Sequence, residues 1–576
     1  MNEIRKCLFI LGRYKYRLPL MLFLFLIVSF IEVLGIGLIG PFVALLGHQG
    51  EIVNDYPVFK EIFGIVGNKE IISFVGICLV LIFCTKGFIA YFVQRKILSL
   101  GYEIRTNIVE KLINSYQKKD YEEIASKEVS TMLVNTNTHV GLFIDSIFIP
   151  SLRMAIEIII VIGIFSLMAF TNFLLVLIIS LLMIIVIFLY YRFIKSKLYH
   201  YGKVMSQKES SVISEIKQII GAFREIRILE VEDFFRNEIK KNVLKYGEAG
   251  VITRSLYVIS RYVVEASVVI FIVALVIFMI NQSQPIEYVF SVLSVFAVGA
   301  LRLVPSFNAI GIGFANIRTA KYALNSVHAE LLDIKENHNL IQKKENQIQE
   351  DFRNLKLVNV SYAYKADKEL SVLSNITFNI EKGDFVAISG ESGSGKSTLM
   401  DLMTGILRPT KGKILINGYE IDNLSVNNLN WWHKKCAFIP QSVFLINKSI
   451  KNNIALGQED ENIDYDKLKK AIIDANLEKV LQKNKMDIES NVGEGGVKLS
   501  GGQRQRVALA RALYSDREVI FMDEATSALD KETEDQVMSN IETLHGKVTI
   551  VLISHSKAAL KKCNKILNLS EGKISN

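Results

Sequence analysis

Six long apolar segments constrain the fold of this chain more than any other feature. They lie at about 18–45, 71–94, 146–170, 173–194, 256–281 and 286–316. A helix needs about 20 mainly apolar residues to cross a bilayer. Half of the 576 residues are hydrophobic, which excludes a disordered chain. Their concentration in long runs within the first 320 positions argues against a purely soluble enzyme. The sequence predicts a six-helix membrane domain over residues 1–330.

The distribution of basic residues predicts how these spans are oriented. Lys and Arg are dense before the first span and in the long segments after spans two and four. Because such residues mark cytoplasmic loops, we expect the N-terminus, both segments and the C-terminal half in the cytoplasm. This topology explains the net charge of +9, and no basic-aromatic patch points to nucleic acid as a partner. The five cysteines form no CxxC pair, which is typical of a reducing compartment.

Two connecting segments, roughly 95–145 and 195–255, have helical spacing and few breakers. We predict that they continue the membrane helices into the cytoplasm, with turns at 118–128 and 221–233. A short helix at such a tip could press on a soluble domain. The outer loop 47–70 fits either an ordinary polar loop or an interfacial helix, and the sequence leaves both open.

Ionisable residues inside membrane spans indicate function, because they are costly to bury there. Arg261 lies near the inner end of span five, and six others stand within spans: Glu32, Lys86, Arg153, Glu157, Glu265 and Arg302. Arg153 with Glu157, and Arg261 with Glu265, are four residues apart and can pair on one helix face.

Lys86 and Arg302 have no such partner nearby in the sequence. We expect them to line a water-filled cavity. Uncompensated positive charge in that cavity would favour an anionic substrate, such as a phosphate or pyrophosphate.

A phosphate-binding loop begins at Gly390 after a polar stretch, 331–351, that reads as a linker. The sequence GESGSGKST fits GxxxxGK[ST], follows the apolar strand 384–389 and precedes a helical segment. Its backbone N–H groups can approach phosphates, while Lys396 can reach the β- and γ-phosphates and Ser397 can ligate Mg²⁺. The nucleotide-binding residues of this loop are Gly390, Glu391, Ser392, Gly393, Ser394, Gly395, Lys396, Ser397 and Thr398.

Two further segments complete an ATPase pattern. The apolar strand EVIFMDE (518–524) ends in Asp523, which can hold Mg²⁺, and Glu524, which can polarise the attacking water. LSGGQ (499–503) opens a helix whose N-terminus suits another phosphate. Since the chain already has one phosphate loop, the second cradle is best explained as completing the site of another copy.

These motifs resemble the ATP-binding cassette (ABC) family, and the resemblance covers essentially the whole chain. It implies ATP and Mg²⁺ as cofactors, with Ser397, Gln441 and Asp523 around the metal. It also implies that Tyr364 stacks on adenine, with Tyr362 as the competing candidate, and that catalysis rests on Glu524, Lys396 and the switch residue His555. The remaining family positions are Ser500, Gly501, Gly502 and Gln503 for the partner's ATP, Asp530 between the two sites, and the stretch 492–496 near the coupling tips.

The arrangement resembles a half-transporter exporter of type I. The resemblance implies a domain-swapped α-helical membrane bundle with coupling tips near 118–128 and 221–230, followed by an α/β P-loop domain at 352–576. Glu524 and LSGGQ are both intact, which favours a homodimer with two ATP molecules at a head-to-tail interface. The chain departs from the family where Ser556 stands in place of the usual Arg after the switch histidine.

The membrane half resembles bacterial flippases of lipid-linked oligosaccharides that serve protein N-glycosylation. The similar stretches are 29–46, CTKGF around Lys86, SRYVVEAS (260–267) and ALRLVPSFNAI (300–310). The resemblance implies that Lys86, Arg261 and Arg302 handle a substrate pyrophosphate, in the cytoplasmic membrane of a bacterium. An exporter of lipid, drug or peptide substrates, and an ATP-gated regulator or channel, are the alternatives.

Overall fold

The computed structural model describes residues 2–47, 68–169, 173–281, 286–340, 348–364, 371–421, 426–525 and 531–575. The chain divides into two compact units. The first comprises residues 1–118 and 127–336, and the second comprises 119–126 and 337–576. The outer loop at 48–67, which the sequence leaves open, and Asp530 lie outside the described residues.

The described residues of the N-terminal unit are almost all helical. Among them, six helical stretches are long and apolar enough to cross a membrane by length and composition, which confirms the six predicted spans. Helix α4, Tyr121–Ser126, lies between two helices of this unit in the chain but belongs to the second unit. The α-helices of the N-terminal unit in chain order are α1 Asn2–Leu11, α2 Leu18–Gly47, α3 Asn68–Lys118, α5 Val129–Leu133, α6 Val140–Leu142, α7 Ile149–Ala169, α8 Phe173–Gly221, α9 Phe223–Ile228, α10 Glu232–Asn281, α11 Ile286–Thr319 and α12 Lys321–Leu340.

Long helices carry three of the spans well beyond the apolar runs. Helices α3, α8 and α10 are 51, 49 and 50 residues long, or about 75 Å each at 1.5 Å per residue. That is more than twice the thickness of the hydrocarbon core, about 30 Å. The predicted extensions out of the membrane are therefore present, and short helices (α4 and α9) form at both predicted tips.

The linker predicted at 331–351 begins later in the structure than the sequence indicates. Helix α12 continues to Leu340, so residues 331–340 of the predicted linker are helical. The composition of this segment is polar, but it lacks helix-breaking residues, and Leu331 packs in the core of the N-terminal unit.

The C-terminal unit has two sheets, as the predicted two-lobed α/β domain requires. Its strands are β1 Asn354–Tyr362, β2 Leu373–Glu381, β3 Phe385–Gly390, β4 Lys411–Ile416, β5 Tyr419–Glu420, β6 Cys436–Ile439, β7 Val519–Asp523, β8 Thr549–Ile553, β9 Lys565–Ser570 and β10 Lys573–Ser575. Its helices after residue 390 are α13 Lys396–Thr404, α14 Val426–Lys435, α15 Ile450–Ile454, α16 Tyr465–Asp474, α17 Glu478–Lys483, α18 Gly501–Tyr514, α19 Lys531–Glu542 and α20 Lys557–Lys561.

The larger sheet determines where the chemistry lies. Its strand order is β10-β9-β3-β8-β7-β6, and all neighbouring pairs except β10 with β9 are parallel. Strands β3, β7 and β8 are continuous apolar runs with almost every residue buried, as expected of parallel strands covered on both faces. The smaller sheet, β2-β1-β4-β5, is antiparallel.

Candidate ATP site and membrane ion cluster

Four neighbouring parallel strands end at one edge of the larger sheet, where ligands bind in folds of this kind. Strand β3 leads into the phosphate loop, β8 precedes His555, β7 ends at Asp523 beside Glu524, and β6 precedes Gln441. Residues that are more than a hundred positions apart in the chain are thus brought to one place.

Glycines in the phosphate loop stand where a side chain cannot fit. A Cβ atom on Gly390 would lie 2.1 Å from the carbonyl oxygen of Leu569. Gly395 has a φ of +97° and directly precedes helix α13, a conformation that favours glycine. The loop can therefore wrap tightly and present its backbone N–H groups and the helix N-terminus to an anion.

Lys396 is folded back onto the loop. Its Nζ donates to the carbonyl oxygens of Gly390 and Glu391 at 2.9 and 2.7 Å. Since an ammonium group has three donors, one remains for a phosphate oxygen. The buried hydroxyl of Ser394 has no hydrogen-bond partner among the described residues, so the loop contains a polar atom that a phosphate could satisfy.

Oxygen ligands suited to Mg²⁺ gather next to this loop. Burial raises the pKa of the Asp523 carboxylate. Its contact with the Ser397 hydroxyl lowers the pKa by less, so the net change in the pKa is upward. Burial, and next the Asp523 charge, raise the pKa of Asp401 from 3.8 to about 6. Two half-buried carboxylates and a hydroxyl fit a hard cation, which would remove their mutual repulsion.

Asp401 is an acidic residue close enough to Asp523 to feel its charge, and the sequence motifs do not single it out. It lies four residues after Ser397 on helix α13, one helical turn away. A charged residue in the otherwise apolar run LMDLM (399–403) is the sequence signal that could have drawn attention to it.

Glu524 lies between the two other residues expected near the attacking water. Gln441 Nε2 donates to Glu524 Oε2 at 2.7 Å, and His555 Nε2 is 3.8 Å from Glu524 Oε1. Glu524 has a φ of +46°, which is rare for a side chain of this kind and typical of residues held in place for function. The carboxylate is exposed enough to meet a water molecule and is oriented by its neighbours.

The LSGGQ segment caps helix α18. The Ser500 hydroxyl accepts from the backbone N–H of Gln503, whose side-chain oxygen accepts from the N–H of Ser500. This capping box is local, and within the described part of the chain no hydrogen bond joins residues 500–503 to the phosphate loop. Among the described residues, this segment therefore has no hydrogen bond that would make it part of the phosphate site of its own chain.

The structure separates the two tyrosines that compete for the adenine-stacking role. Tyr362 is 3% exposed and belongs to the core, whereas Tyr364 is 38% exposed. The Tyr364 hydroxyl lies 3.1 Å from Thr398 Oγ1 at the end of the phosphate loop. Of the two rings, only that of Tyr364 is exposed, and its role in stacking on adenine stays a prediction.

We expect Tyr364→Ala to raise the KM for ATP about tenfold with little change in kcat, because base–aromatic stacking contributes about 1–3 kcal/mol. Steady-state ATPase kinetics measures both constants. Tyr362→Phe, which changes only a buried hydroxyl, is the matched control. A larger KM effect at Tyr362 than at Tyr364 would contradict the assignment.

In the N-terminal unit, the expectation that Lys86 and Arg302 are uncompensated is wrong. Lys86 Nζ is 2.7 Å and Arg302 Nε is 2.8 Å from the same oxygen, Oε1 of Glu32, and Arg302 Nη2 is 3.0 Å from Glu157 Oε2. The partners come from other helices, so no spacing along one helix could reveal them. We refer to Glu32, Lys86, Glu157 and Arg302 as the ion cluster.

The two pairs expected four residues apart have different outcomes. Arg261 and Glu265 pair at 2.6 Å, with 63% and 39% of their side chains exposed. Glu157 instead contacts Arg302 and the Ser306 hydroxyl. Long-range packing therefore overrides one local pairing.

Comparison with known proteins agrees with this geometry. Residues 373–527 match the family model of the ABC transporter. The chain is 37% identical over 222 residues to the heterocyst differentiation ATP-binding protein HepA of Nostoc sp. and 39% identical over 220 residues to the ATP-dependent lipid A-core flippase of Haemophilus influenzae. Each alignment covers 38% of this chain. The alignments cover 35% of the Nostoc protein and 37% of the Haemophilus protein, so the chain matches about a third of the length of each relative.

A solved structure extends the likeness to the whole chain. The ATP-bound structure of a bacterial Atm1-family ABC exporter superposes with a TM-score of 0.75, at 19% identity, over 98% of this chain and 95% of that one. The family model matches within the C-terminal unit, and the structural match covers the fold of nearly the whole chain. The chain has an ABC transporter domain and, as a whole, the fold of an ABC exporter half-transporter.

Proposed function

We propose that this protein hydrolyses ATP to export a lipid by alternating access. One observation carries the proposal: the phosphate loop, Gln441, Asp523, Glu524 and His555 lie at one sheet edge, in the same chain as six described helices of membrane-spanning length and an exporter fold. The curated relatives include several named ATP-dependent lipid A-core flippases, which supports a lipid as the cargo.

Hydrolysis would proceed by in-line attack of a water on the γ-phosphate. Glu524 orients that water, Gln441 and His555 hold the carboxylate from two sides, and Lys396 stabilises the charge that develops on the phosphate. Mg²⁺, held by Ser397 and Asp523 with Gln441 nearby, would supply further neutralisation of the phosphate charge.

The helical tips would transmit closure of the nucleotide units to the membrane spans. Helix α4 belongs to the C-terminal unit. Burial raises the pKa of the Tyr362 phenol most, and the nearby charge of Glu122 on α4 raises it further. The first tip therefore contacts the strand that leads to Tyr364. Helix α9 at the second tip exposes the apolar side chains Phe223 and Ile228, which favours a docking role.

A second copy would complete each ATP site. Among the described residues, the LSGGQ segment makes no hydrogen bond to its own phosphate loop, and Ser500 near its start is exposed. The segment would instead contact the ATP of the partner. A homodimer in the bacterial cytoplasmic membrane, with the nucleotide units and the N-terminus in the cytoplasm, agrees with the placement of basic residues.

The finer proposal for the cargo is an anionic lipid-linked oligosaccharide or a related polysaccharide precursor. Lys86 and Arg302 each have about a fifth of the side chain exposed, so both remain open to a phosphate, and Arg261 is more exposed still. Exporters of other lipids, drugs or peptides are the second candidate. The zero net charge of the ion cluster favours this alternative, because a neutral cluster does not require an anionic cargo.

Substrate stimulation of ATP hydrolysis separates these candidates. We expect a polyprenyl-pyrophosphate oligosaccharide to stimulate the protein in lipid nanodiscs, whereas a matched polyprenol does not. Arg302→Ala should lose the stimulation and keep the basal rate, since Arg302 belongs to the N-terminal unit and the ATP-site residues belong to the C-terminal unit. Equal stimulation by charged and uncharged lipids would remove the anionic class and leave the broader exporter function.

A further inference from the structure

Glu32 has an unusual position in the ion cluster. One oxygen of its carboxylate contacts both cations, Lys86 at 2.7 Å and Arg302 at 2.8 Å. Its side chain is only 6% exposed, against 22% for Lys86 and 23% for Arg302. The carboxylate therefore lies behind the two cations, while the cations themselves can be approached from outside the cluster.

The cluster is electrically balanced when it is empty of ligand. Lys86 and Arg302 carry two positive charges, and Glu32 and Glu157 carry two negative charges. Apolar residues of similar size would be cheaper to bury in a membrane helix, and four charges from four different helices are not needed to hold a bundle together. A role in which the charges change partners would account for this costly arrangement.

The two carboxylates of the cluster are not held equally. Glu157 accepts from the Ser306 hydroxyl at 2.7 Å in addition to Arg302, and Ser306 also accepts from Arg302 Nη1 at 2.8 Å. In the part of the chain that the structure describes, the side chain of Glu32 has only the two cations as partners. An arriving anion would therefore compete with Glu32 more readily than with Glu157.

The helix that carries Arg302 is weakened next to the cluster. Pro305 lies inside α11, and since proline has no N–H, the carbonyl of Leu301 loses its usual intrahelical donor. A small change in helix geometry next to Arg302 therefore costs less free energy than it would in an uninterrupted helix.

We propose that Glu32 is an internal counter-ion that competes with the phosphate of the substrate for Lys86 and Arg302 and that regains both cations when the substrate leaves. This inference rests on the proposed transport of an anionic lipid. Transport requires binding that is strong enough for entry and weak enough for release. Two uncompensated cations in a low-dielectric site would hold a phosphate too tightly, and a competing carboxylate lowers that affinity to a level that permits turnover.

Replacing Glu32 with Gln keeps the shape of the side chain and removes its charge. We expect Glu32→Gln to bind farnesyl pyrophosphate about tenfold more tightly than the parent protein, while binding of farnesol is the same in both. Binding is measured by native mass spectrometry of the full chain in a Lys396→Ala background, so that the pyrophosphate does not report on the ATP site. Glu103→Gln, which breaks the exposed pair with Arg17, is the matched control and should bind like the parent.

A double variant separates charge from loss of structure. Glu32→Gln with Lys86→Gln has a balanced cluster again and should return to within about twofold of the parent affinity. If Glu32→Gln binds no more tightly than the parent, or if the double variant binds as tightly as Glu32→Gln alone, competition by the Glu32 charge is excluded.

Kinetic constants distinguish competition by Glu32 from a purely structural role of this residue. In substrate-stimulated ATP hydrolysis, Glu32→Gln should lower both the half-saturating concentration of the isoprenoid-pyrophosphate lipid and the maximal rate, because release becomes slow. An unchanged half-saturating concentration with a lower rate would overturn the proposal. If no lipid stimulates even the parent protein, the proposed function fails, and the binding comparison still decides the role of Glu32.

Discussion

Replacing Glu524 with Gln is expected to lower the rate of ATP hydrolysis by at least about a hundredfold, the range that a positioned general base contributes, while ATP still binds. Gln is isosteric with Glu but cannot polarise the water. The phosphate loop, Lys396 and Asp523 are unchanged by this substitution, so nucleotide affinity should persist. The bound, unhydrolysed ATP should then trap the closed form of the proposed dimer.

Two measurements check this result together. Phosphate release gives the rate, and fluorescent ATP binding gives the affinity. Glu532→Gln, at an exposed position on helix α19, is the control. The hydrogen bond from Gln441 to Glu524 also predicts that Gln441→Ala lowers kcat less than Glu524→Gln does, because Gln441 acts through the carboxylate. Undiminished hydrolysis in Glu524→Gln would refute the assignment of the base.

Lys396→Ala is expected to abolish ATP binding at micromolar nucleotide, with a loss of affinity of about a hundredfold. Charge-assisted hydrogen bonds to charged groups contribute about 1.5–3 kcal/mol, and here the loop is also affected. Lys396 holds the carbonyl oxygens of Gly390 and Glu391, so its removal loosens the cradle as well as deleting the cation.

The measurement is ATP binding by isothermal titration calorimetry with Mg²⁺ present. Lys356→Ala, an exposed lysine on strand β1, removes the same charge elsewhere in the unit and should bind like the parent. ATP affinity within twofold of the parent in Lys396→Ala would mean that the phosphates bind outside the predicted loop.

The ATP site could be predicted largely from sequence because each part of it is a short motif with a fixed local structure. Glycine-rich turns, an apolar strand ending in acids and a serine before a helix each determine their own geometry, and the parallel sheet then aligns the strand ends. The switch residue His555 follows the same logic. Asp401 was not predicted because its interaction with Asp523 joins residues that are 122 positions apart in the chain.

The ion cluster could not be predicted, because its contacts join different helices. Lys86 and Arg302 look unpaired along their own helices, and only packing brings Glu32 to both of them. Glu157 has a possible partner one turn away, yet it pairs with Arg302 instead. Sequence spacing describes one helix face, whereas the balance of charge in a membrane bundle depends on how the helices pack.

ATP-dependent translocation in proteoliposomes tests the central claim most directly. The substrate is a fluorescent polyprenyl-pyrophosphate oligosaccharide, and the proteins compared are the parent, Glu524→Gln and Arg302→Ala. We expect translocation by the parent that requires ATP and Mg²⁺, none by Glu524→Gln, and little by Arg302→Ala despite intact basal hydrolysis. Robust hydrolysis by the parent without translocation of this lipid would contradict transport of a lipid-linked oligosaccharide.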